Sequence, residues 1–243
     1  MEDRLYHIVH EEPYNHLECE AYWKEREPDR FRDLEQAAAP APADFVREYG
    51  LDSILAYLRQ EGEEGDFDED TVYGIFRFLG RIWRLFRRQG PCRREEEEAL
   101  SFWAQAGKAL RGLESGHMHV YAAGMAAMLA FLQKNGFTDL EKKAFLTLLS
   151  ETAPCLAARL SEDAKGEGLM DLRALLTGHL SVFETALQVN GRTRTRILLP
   201  AQADPERARE MAGKALEEIG YGTEGMEMHY VPGRIINFFS SRA

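Results

Sequence analysis

The chain has few cysteines and no cysteine pair of the kind that binds zinc. Cys19, Cys92 and Cys155 are an odd number and lie far apart, outside any CxxC motif. This spacing argues against a disulfide framework and against a zinc ribbon. With 243 residues, the chain is long enough to form a hydrophobic core without either. A reducing compartment is therefore expected.

Long hydrophobic runs are also absent. The longest apolar stretch, residues 120–132, is too short to cross a bilayer as a helix. The N-terminal sequence MEDRLYH has no basic start followed by an apolar run, so it does not read as a secretory signal. These features predict a soluble cytoplasmic protein with no membrane span.

Recognisable catalytic motifs are missing as well. The sequence has no glycine-rich phosphate loop, no GxSxG nucleophile motif and no HExxH zinc motif. We therefore expect no cofactor, and we expect a binding protein more than an enzyme.

Charge is the most informative property that is present. The chain is acidic, with a formal net charge of -11, and 23 of its 30 basic residues are arginines. Between residues 74 and 94 there are seven arginines and no acid, whereas acidic runs occupy residues 61–70 and 95–98. A net negative charge disfavours non-specific nucleic-acid binding, so any such contact has to be local.

Helical periodicity places four of these arginines on one face, which we call the arginine stripe: Arg77, Arg81, Arg84 and Arg88. A helix over residues 66–89 is indicated because acids fill its first turn and basic residues its last, as the helix dipole favours. The stripe, with Trp83 beside it for stacking, could bind an acidic partner or nucleic acid. Alternatively, the flanking acids pair with it internally. A protein partner is favoured over nucleic acid.

The remaining pattern predicts an α+β fold that is predominantly α, a multi-helix bundle with a small C-terminal βαββ unit. We expect an N-terminal arm and short helices over residues 1–43, because the segment AAAPAPA at 37–43 indicates a connector. A helical bundle domain should follow over 44–190, with an almost wholly apolar central helix at 119–134 and a last helix at 169–189. Period-two segments after 191 predict the tail, 191–243, packed on the bundle.

A second basic feature opens this tail. Arg192, Arg194 and Arg196 alternate with threonines, which places them on one face of a strand. Such a row either contacts an anionic partner or protects a sheet edge from aggregation.

The N-terminal region contains weak candidates for metal ligands: His7, His10, His16 and Cys19. Imidazole and thiolate suit a transition metal. Their spacing matches no known ligand pattern, so a surface or partner-facing cluster is the preferred interpretation.

Three arginines are followed six residues later by a histidine, and one of these pairs, Arg173 and His179, falls inside a predicted helix. This spacing resembles the loose RxxxxxH signature of HEPN-type ribonucleases. The resemblance implies a helical protein that uses the pair in phosphodiester cleavage. The polar residue that usually follows the arginine in that family is missing here.

The functional expectation is therefore a macromolecule-binding protein of adaptor, regulatory or immunity type, without catalytic activity of its own. The alternative is an RNA-binding protein or a HEPN-like ribonuclease that uses Arg173 and His179. Neither the identity of the partner nor the oligomeric state follows from the sequence.

Overall fold

The computed structural model describes residues 14–62, 67–161, 172–177 and 181–240. These residues are predominantly helical and carry one four-stranded sheet near the C-terminal end, which confirms the predicted fold class. Contacts divide the chain into two compact units. Unit 1 comprises Met1–Arg93 and Ala109–Met170, and unit 2 comprises Arg94–Lys108 and Asp171–Ala243. Within the described ranges, no helix is long and apolar enough to cross a membrane.

The helices up to residue 161 follow the predicted order. They are α1 (His16–Arg26), α2 (Pro28–Ala37), α3 (Ala43–Tyr49), α4 (Leu51–Glu61), α5 (Glu69–Arg88), a 3-10 turn (Glu96–Ala99), α6 (Leu100–Glu114), α7 (Met118–Asn135), α8 (Asp139–Leu149) and α9 (Pro154–Ser161).

Local signals explain where several of these helices begin and end. Gly50 has a φ of 79°, a conformation that favours glycine, and it separates α3 from α4. Thr138 and Glu141 form a capping box at the start of α8, because each side chain accepts a hydrogen bond from the other residue's backbone amide. Helix α9 begins at Pro154, and proline is common at the first position of a helix.

Buried residues show how the connector differs from expectation. Ala38 and Ala41 of the predicted connector are 2% and 9% exposed, so this segment is packed against other residues and is not a solvent-exposed linker. The predicted domain boundary at residue 43 stays a prediction.

Helix α7 buries one face, including Met125 and Leu132, but leaves alanines such as Ala126 exposed. The almost wholly apolar sequence of this helix therefore does not mean that all of its faces are buried.

A buried carboxylate connects two distant helices of unit 1. Asp52 on α4 accepts hydrogen bonds from the backbone amides of Cys155, at 3.0 Å, and Leu156, at 2.6 Å, in the first turn of α9. The Tyr14 hydroxyl donates to the same carboxylate at 3.4 Å. Asp52 is 1% exposed. Its burial raises the pKa of the carboxyl to about 6, although the two backbone amides act in the opposite direction.

Unit 2 consists of α10 (Leu172–Thr177), β1 (Val182–Val189), β2 (Arg192–Pro200), α11 (Pro205–Glu218), β3 (Glu227–Val231) and β4 (Ile235–Phe239), together with residues 94–108. The strand order is β2-β1-β4-β3, with β1 and β4 parallel and the other two pairs antiparallel. Helix α11 covers one face of the sheet, where Leu187, Ile236 and Phe238 pack against Ala212 and Leu216.

The predicted helix over residues 169–189 is wrong at 182–189, because these residues form β1. The tail is therefore ββαββ, with one strand more than expected, and the predicted boundary at residue 190 falls inside a β-hairpin. Asn190 and Gly191, with φ values of 51° and 75°, form the two-residue turn between β1 and β2.

Candidate functional site

Helix α5 begins and ends as its charges predict. The carboxylate of Asp68 caps the helix by accepting from the backbone amides of Asp70 and Thr71. The hydroxyl of Thr71 donates to the same carboxylate and is the main reason that the pKa of Asp68 is lowered. Acids occupy the first turn, and Arg87 and Arg88 the last. These interactions define where the helix begins, and its basic end lies at residue 88.

The arginine stripe of α5 lies at the surface of unit 1. Arg77, Arg81 and Arg88 are exposed, whereas Arg84 is half-buried. The apolar residues Leu79, Ile82 and Phe86 occupy the buried face. The predicted separation into a basic and an apolar face is therefore correct, and an anion can approach at least three guanidinium groups.

Two neighbours orient arginines of the stripe. The guanidinium of Arg81 donates to the side-chain oxygen of Gln133 on α7 at 2.8 Å. The guanidinium carbon of Arg77 lies 5.8 Å from the centroid of the Tyr73 ring. Both contacts are to uncharged groups, so they hold the side chains without cancelling their charge.

Trp83 does not have the role that the sequence suggested. Its side chain is only 4% exposed, and the guanidinium carbon of Arg87 lies 5.0 Å from its ring centroid. An indole buried in this way has no free face on which a base or another ring could stack. Trp83 is therefore a core residue of unit 1 and lies on the buried side of α5.

The second basic feature lies on β2, at one edge of the described sheet. Arg192, Arg194 and Arg196 are all exposed. Arg196 forms an ion pair of 2.9 Å with Glu184 of β1. The guanidinium carbon of Arg194 lies 4.8 Å from the centroid of the Tyr221 ring.

A β-bulge changes the predicted geometry of this row. Thr195 lies opposite Leu187, but Thr193 lies opposite the next residue, Gln188, so Arg194 is the extra residue on β2. The expectation that all three arginines share one face is therefore wrong. The sequence missed Tyr221 because it lies 27 residues from Arg194, and no local pattern links them.

The metal candidates are only partly described. His7 and His10 lie outside the described residues. His16 and Cys19 lie on α1, where His16 Nδ1 is 3.3 Å from Glu20 Oε1. Cys19 is fully buried, and its burial raises the pKa of the thiol, which disfavours the thiolate that binds metals. In the described part of the chain, no group of three or more ligating side chains could hold a metal ion.

The ribonuclease pair falls at the edge of the described structure. Arg173 lies in α10, which ends at Thr177, and His179 lies outside the described residues. The assignment of this pair to catalysis stays a prediction.

An apolar cavity of about 410 Å³ opens in unit 1 between α4, α5, α7 and α8. Its lining includes Phe78, Met118 and Met125, and no carboxylate, imidazole or thiol is found among the described residues that line it. The Tyr121 hydroxyl at its wall donates to the backbone oxygen of Leu148 at 2.9 Å. Burial raises the pKa of Tyr121 to about 12. Among the described lining residues, Tyr121 therefore does not act as an acid or base near neutral pH.

Comparison with curated proteins reveals similarity to leucine–tRNA ligases. The ligase of Nostoc punctiforme is 26% identical over 235 residues, an alignment that covers 83% of this chain and 26% of the ligase. The ligase of Borrelia garinii is 28% identical over 191 residues, covering 70% of this chain and 22% of the ligase. The chain thus spans about a quarter of the length of these relatives. No protein-family model matches the chain.

Among solved structures, the chain is similar to that of Agrobacterium radiobacter K84 agnB2 LeuRS in its ternary complex with tRNA and LeuAMS. The TM-score is 0.51 at 19% sequence identity, and the match covers 82% of this chain and 29% of that one. This likeness supports the α+β fold over most of the chain.

These similarities contradict the main functional expectation. We expected an adaptor, regulatory or immunity-type protein whose partner is another protein, but four similar curated proteins, at 23–28% identity, are leucine–tRNA ligases. The alternative of an RNA-binding protein agrees with them better. The charge pattern misled because an arginine stripe fits acidic proteins and phosphates equally well.

Proposed function

We propose that this chain binds transfer RNA through exposed arginines on α5 of unit 1 and on β2 of unit 2. The observation that carries the proposal is the extent of the similarity to leucine–tRNA ligases. A match over 83% of the chain includes parts of both units, because neither unit alone is that long.

The chemistry of the two basic surfaces supports this proposal. A guanidinium group offers paired N–H donors that match the oxygens of a phosphate, and its charge persists at any physiological pH. In a chain with a net charge of -11, repulsion discourages phosphates from most of the surface. Localised arginines would therefore select the orientation in which RNA approaches.

Binding, rather than ligation, is the activity proposed. The chain spans about a quarter of the ligases it resembles, and the described residues supply no constellation of catalytic groups that we can assign. In this proposal the chain holds tRNA by its phosphate backbone, with base identity contributing little.

A binding titration tests the proposal. A fluorescently labelled leucine tRNA transcript is titrated with the full chain at 50 and 200 mM salt, and the anisotropy is measured. We expect saturable binding that weakens by at least about tenfold at the higher salt, because phosphate contacts release counterions. Binding that is absent at 50 mM salt would overturn the proposal. A denaturing gel of the same samples shows whether the RNA stays intact.

A further inference from the structure

The bulge on β2 directs its arginines to two sides of one sheet edge. Residues paired across antiparallel strands share a face. Arg196 lies opposite Ala186, whereas Leu187 and Val189 belong to the core beneath α11. Arg196 is thus on the face away from α11. Arg192, opposite Val189, is on the α11 face.

Arg194, the bulged residue, also lies on the α11 side. Its guanidinium covers the ring of Tyr221, which packs against the core formed by α11 and the sheet. Arg196 is held on the other side by Glu184. The edge of β2 therefore carries two guanidinium groups that diverge, each oriented by a neighbour within unit 2.

The hairpin that carries these arginines is firmly anchored. The backbone amide of Asn190 donates to the carbonyl of Phe238 at 2.8 Å. The amide of Gly191 donates to the side-chain oxygen of Asn237 at 3.0 Å. The side chain of Asn190 in turn accepts from the amide of Ser240 at 3.3 Å. These bonds tie the turn to β4 and its end, and the turn sets where β2 begins.

Resting on the proposed tRNA binding, we propose that unit 2 recognises a double-helical segment of RNA, with the β2 edge across its minor groove. The minor groove of A-form RNA is wide and shallow and is lined by 2′-hydroxyls, with a phosphate backbone on each side. Arg196 contacts one backbone, and Arg192 and Arg194 contact the other. Main-chain N–H and C=O groups along the sheet edge hydrogen-bond the 2′-hydroxyls between them.

Single-stranded RNA fits this edge less well. A single strand offers one backbone to arginines that point in two directions, and its bases need exposed aromatic faces on which to stack. The ring next to the arginines, Tyr221, is already covered by Arg194. The occupant to which the geometry points is therefore a duplex, recognised by shape rather than by sequence.

Competition experiments separate this inference from the proposed function. Labelled leucine tRNA bound to the full chain is competed with a blunt 16-base-pair RNA duplex, the DNA duplex of the same sequence, and each RNA single strand. We expect the RNA duplex to compete at least about tenfold better than the DNA duplex or the single strands, because B-form DNA lacks the 2′-hydroxyls and the shallow groove.

Three outcomes distinguish the two proposals. Competition by the RNA duplex alone supports the inference. Competition by single strands at equal or lower concentration than the duplex overturns it, although tRNA binding itself then stands. If the chain binds neither labelled tRNA nor labelled RNA duplex, both proposals are overturned.

Single substitutions locate the site on β2. R194Q and R196Q should each weaken duplex binding by roughly tenfold, as expected for loss of one charge-assisted contact. E184Q should strengthen it a few-fold, because Arg196 then no longer pairs with a carboxylate. R207Q on α11, where Arg207 pairs with Glu210, is the control and should change binding less than about twofold. Equal effects of R207Q and R196Q would show that β2 is not part of the RNA-binding interface.

Discussion

The guanidinium of Arg194 lies over the ring of Tyr221, with 4.8 Å between the guanidinium carbon and the ring centroid. The two residues are 27 positions apart, and no local sequence pattern links them. Their contact shows that the exposed arginine of the bulge is oriented by an aromatic side chain from the loop after α11.

Replacing Tyr221 by leucine should weaken tRNA binding without unfolding the protein. Leucine keeps most of the apolar contact with the core but loses the attraction between ring and cation, which is worth about 0.5–1 kcal/mol at an exposed site. We therefore expect a loss of about two- to fivefold in affinity, measured by anisotropy. The double variant Y221L/R194Q should bind no more weakly than R194Q, because the ring acts through that arginine. Additive losses would contradict this positioning role.

The triple variant R77Q/R81Q/R88Q should lose most of the contribution of unit 1 to tRNA binding. If each arginine contacts a phosphate, the slope of log affinity against log salt should fall by about three. The melting temperature should change little, since these side chains are exposed.

A charge-matched control is available in the same unit. Arg30, Arg32 and Arg47 are exposed on α2 and α3, and R30Q/R32Q/R47Q changes the net charge by the same amount. Equal losses in the two triple variants would show that net charge, rather than the arginine stripe, governs binding.

Replacing Asp52 by asparagine should remove a pH dependence of stability. The carboxyl has a pKa of about 6 in the folded protein against an ordinary value of 3.8. Because the folded state binds the proton more tightly, the contribution of Asp52 is most favourable below pH 4. It is lost as the pH rises towards 6, by about 3 kcal/mol in total. Urea unfolding at pH 4 and pH 7 measures it.

The comparison with D52N isolates this one group. The difference in unfolding free energy, wild type minus D52N, should be smaller at pH 7 than at pH 4, because asparagine cannot ionise. Other carboxylates titrate in both proteins and cancel. A difference that is the same at both pH values would mean that Asp52 ionises normally in the folded state.

Replacing Gly124 by alanine should destabilise unit 1, although alanine favours helices by about 1 kcal/mol over glycine. A β-carbon at Gly124 on α7 would lie 2.8 Å from the β-carbon of Ala109 on α6. The two helices would have to separate, at a cost of about 1–3 kcal/mol. Gly74→Ala on α5 is the control. Nothing lies within 4 Å of its added β-carbon, so it should be neutral or stabilising. Thermal unfolding of both variants shows whether the steric clash with Ala109 or the higher helix propensity of alanine has the larger effect.

Much of the helical part of the fold is local and could be predicted. The capping box at Thr138, the division at Gly50 and the charges at the ends of α5 depend on residues within one or two turns. The error at residues 182–189 has a local cause too. Asn190-Gly191 beside alternating residues is a strong hairpin signal, but the apolar content of the preceding segment favoured a helix.

The site was predicted less completely than the fold. The exposed arginines were identified because charge and periodicity place them on a surface. Trp83 was assigned to that surface as well, although its side chain is buried. A single helix reveals which residues share a face, but not how wide the covered part of that face is.

By itself, the sequence determined the α+β class, the order and ends of most helices, and the presence of two basic segments in an acidic chain. These depend on interactions between near neighbours, such as caps, helix dipoles and periodicity. Only the tertiary structure decided that Trp83 is core, that Asp52 caps a helix 102 residues away and that a bulge turns Arg194 towards Tyr221. Each of these depends on packing between segments far apart in the chain, where local preferences carry no information.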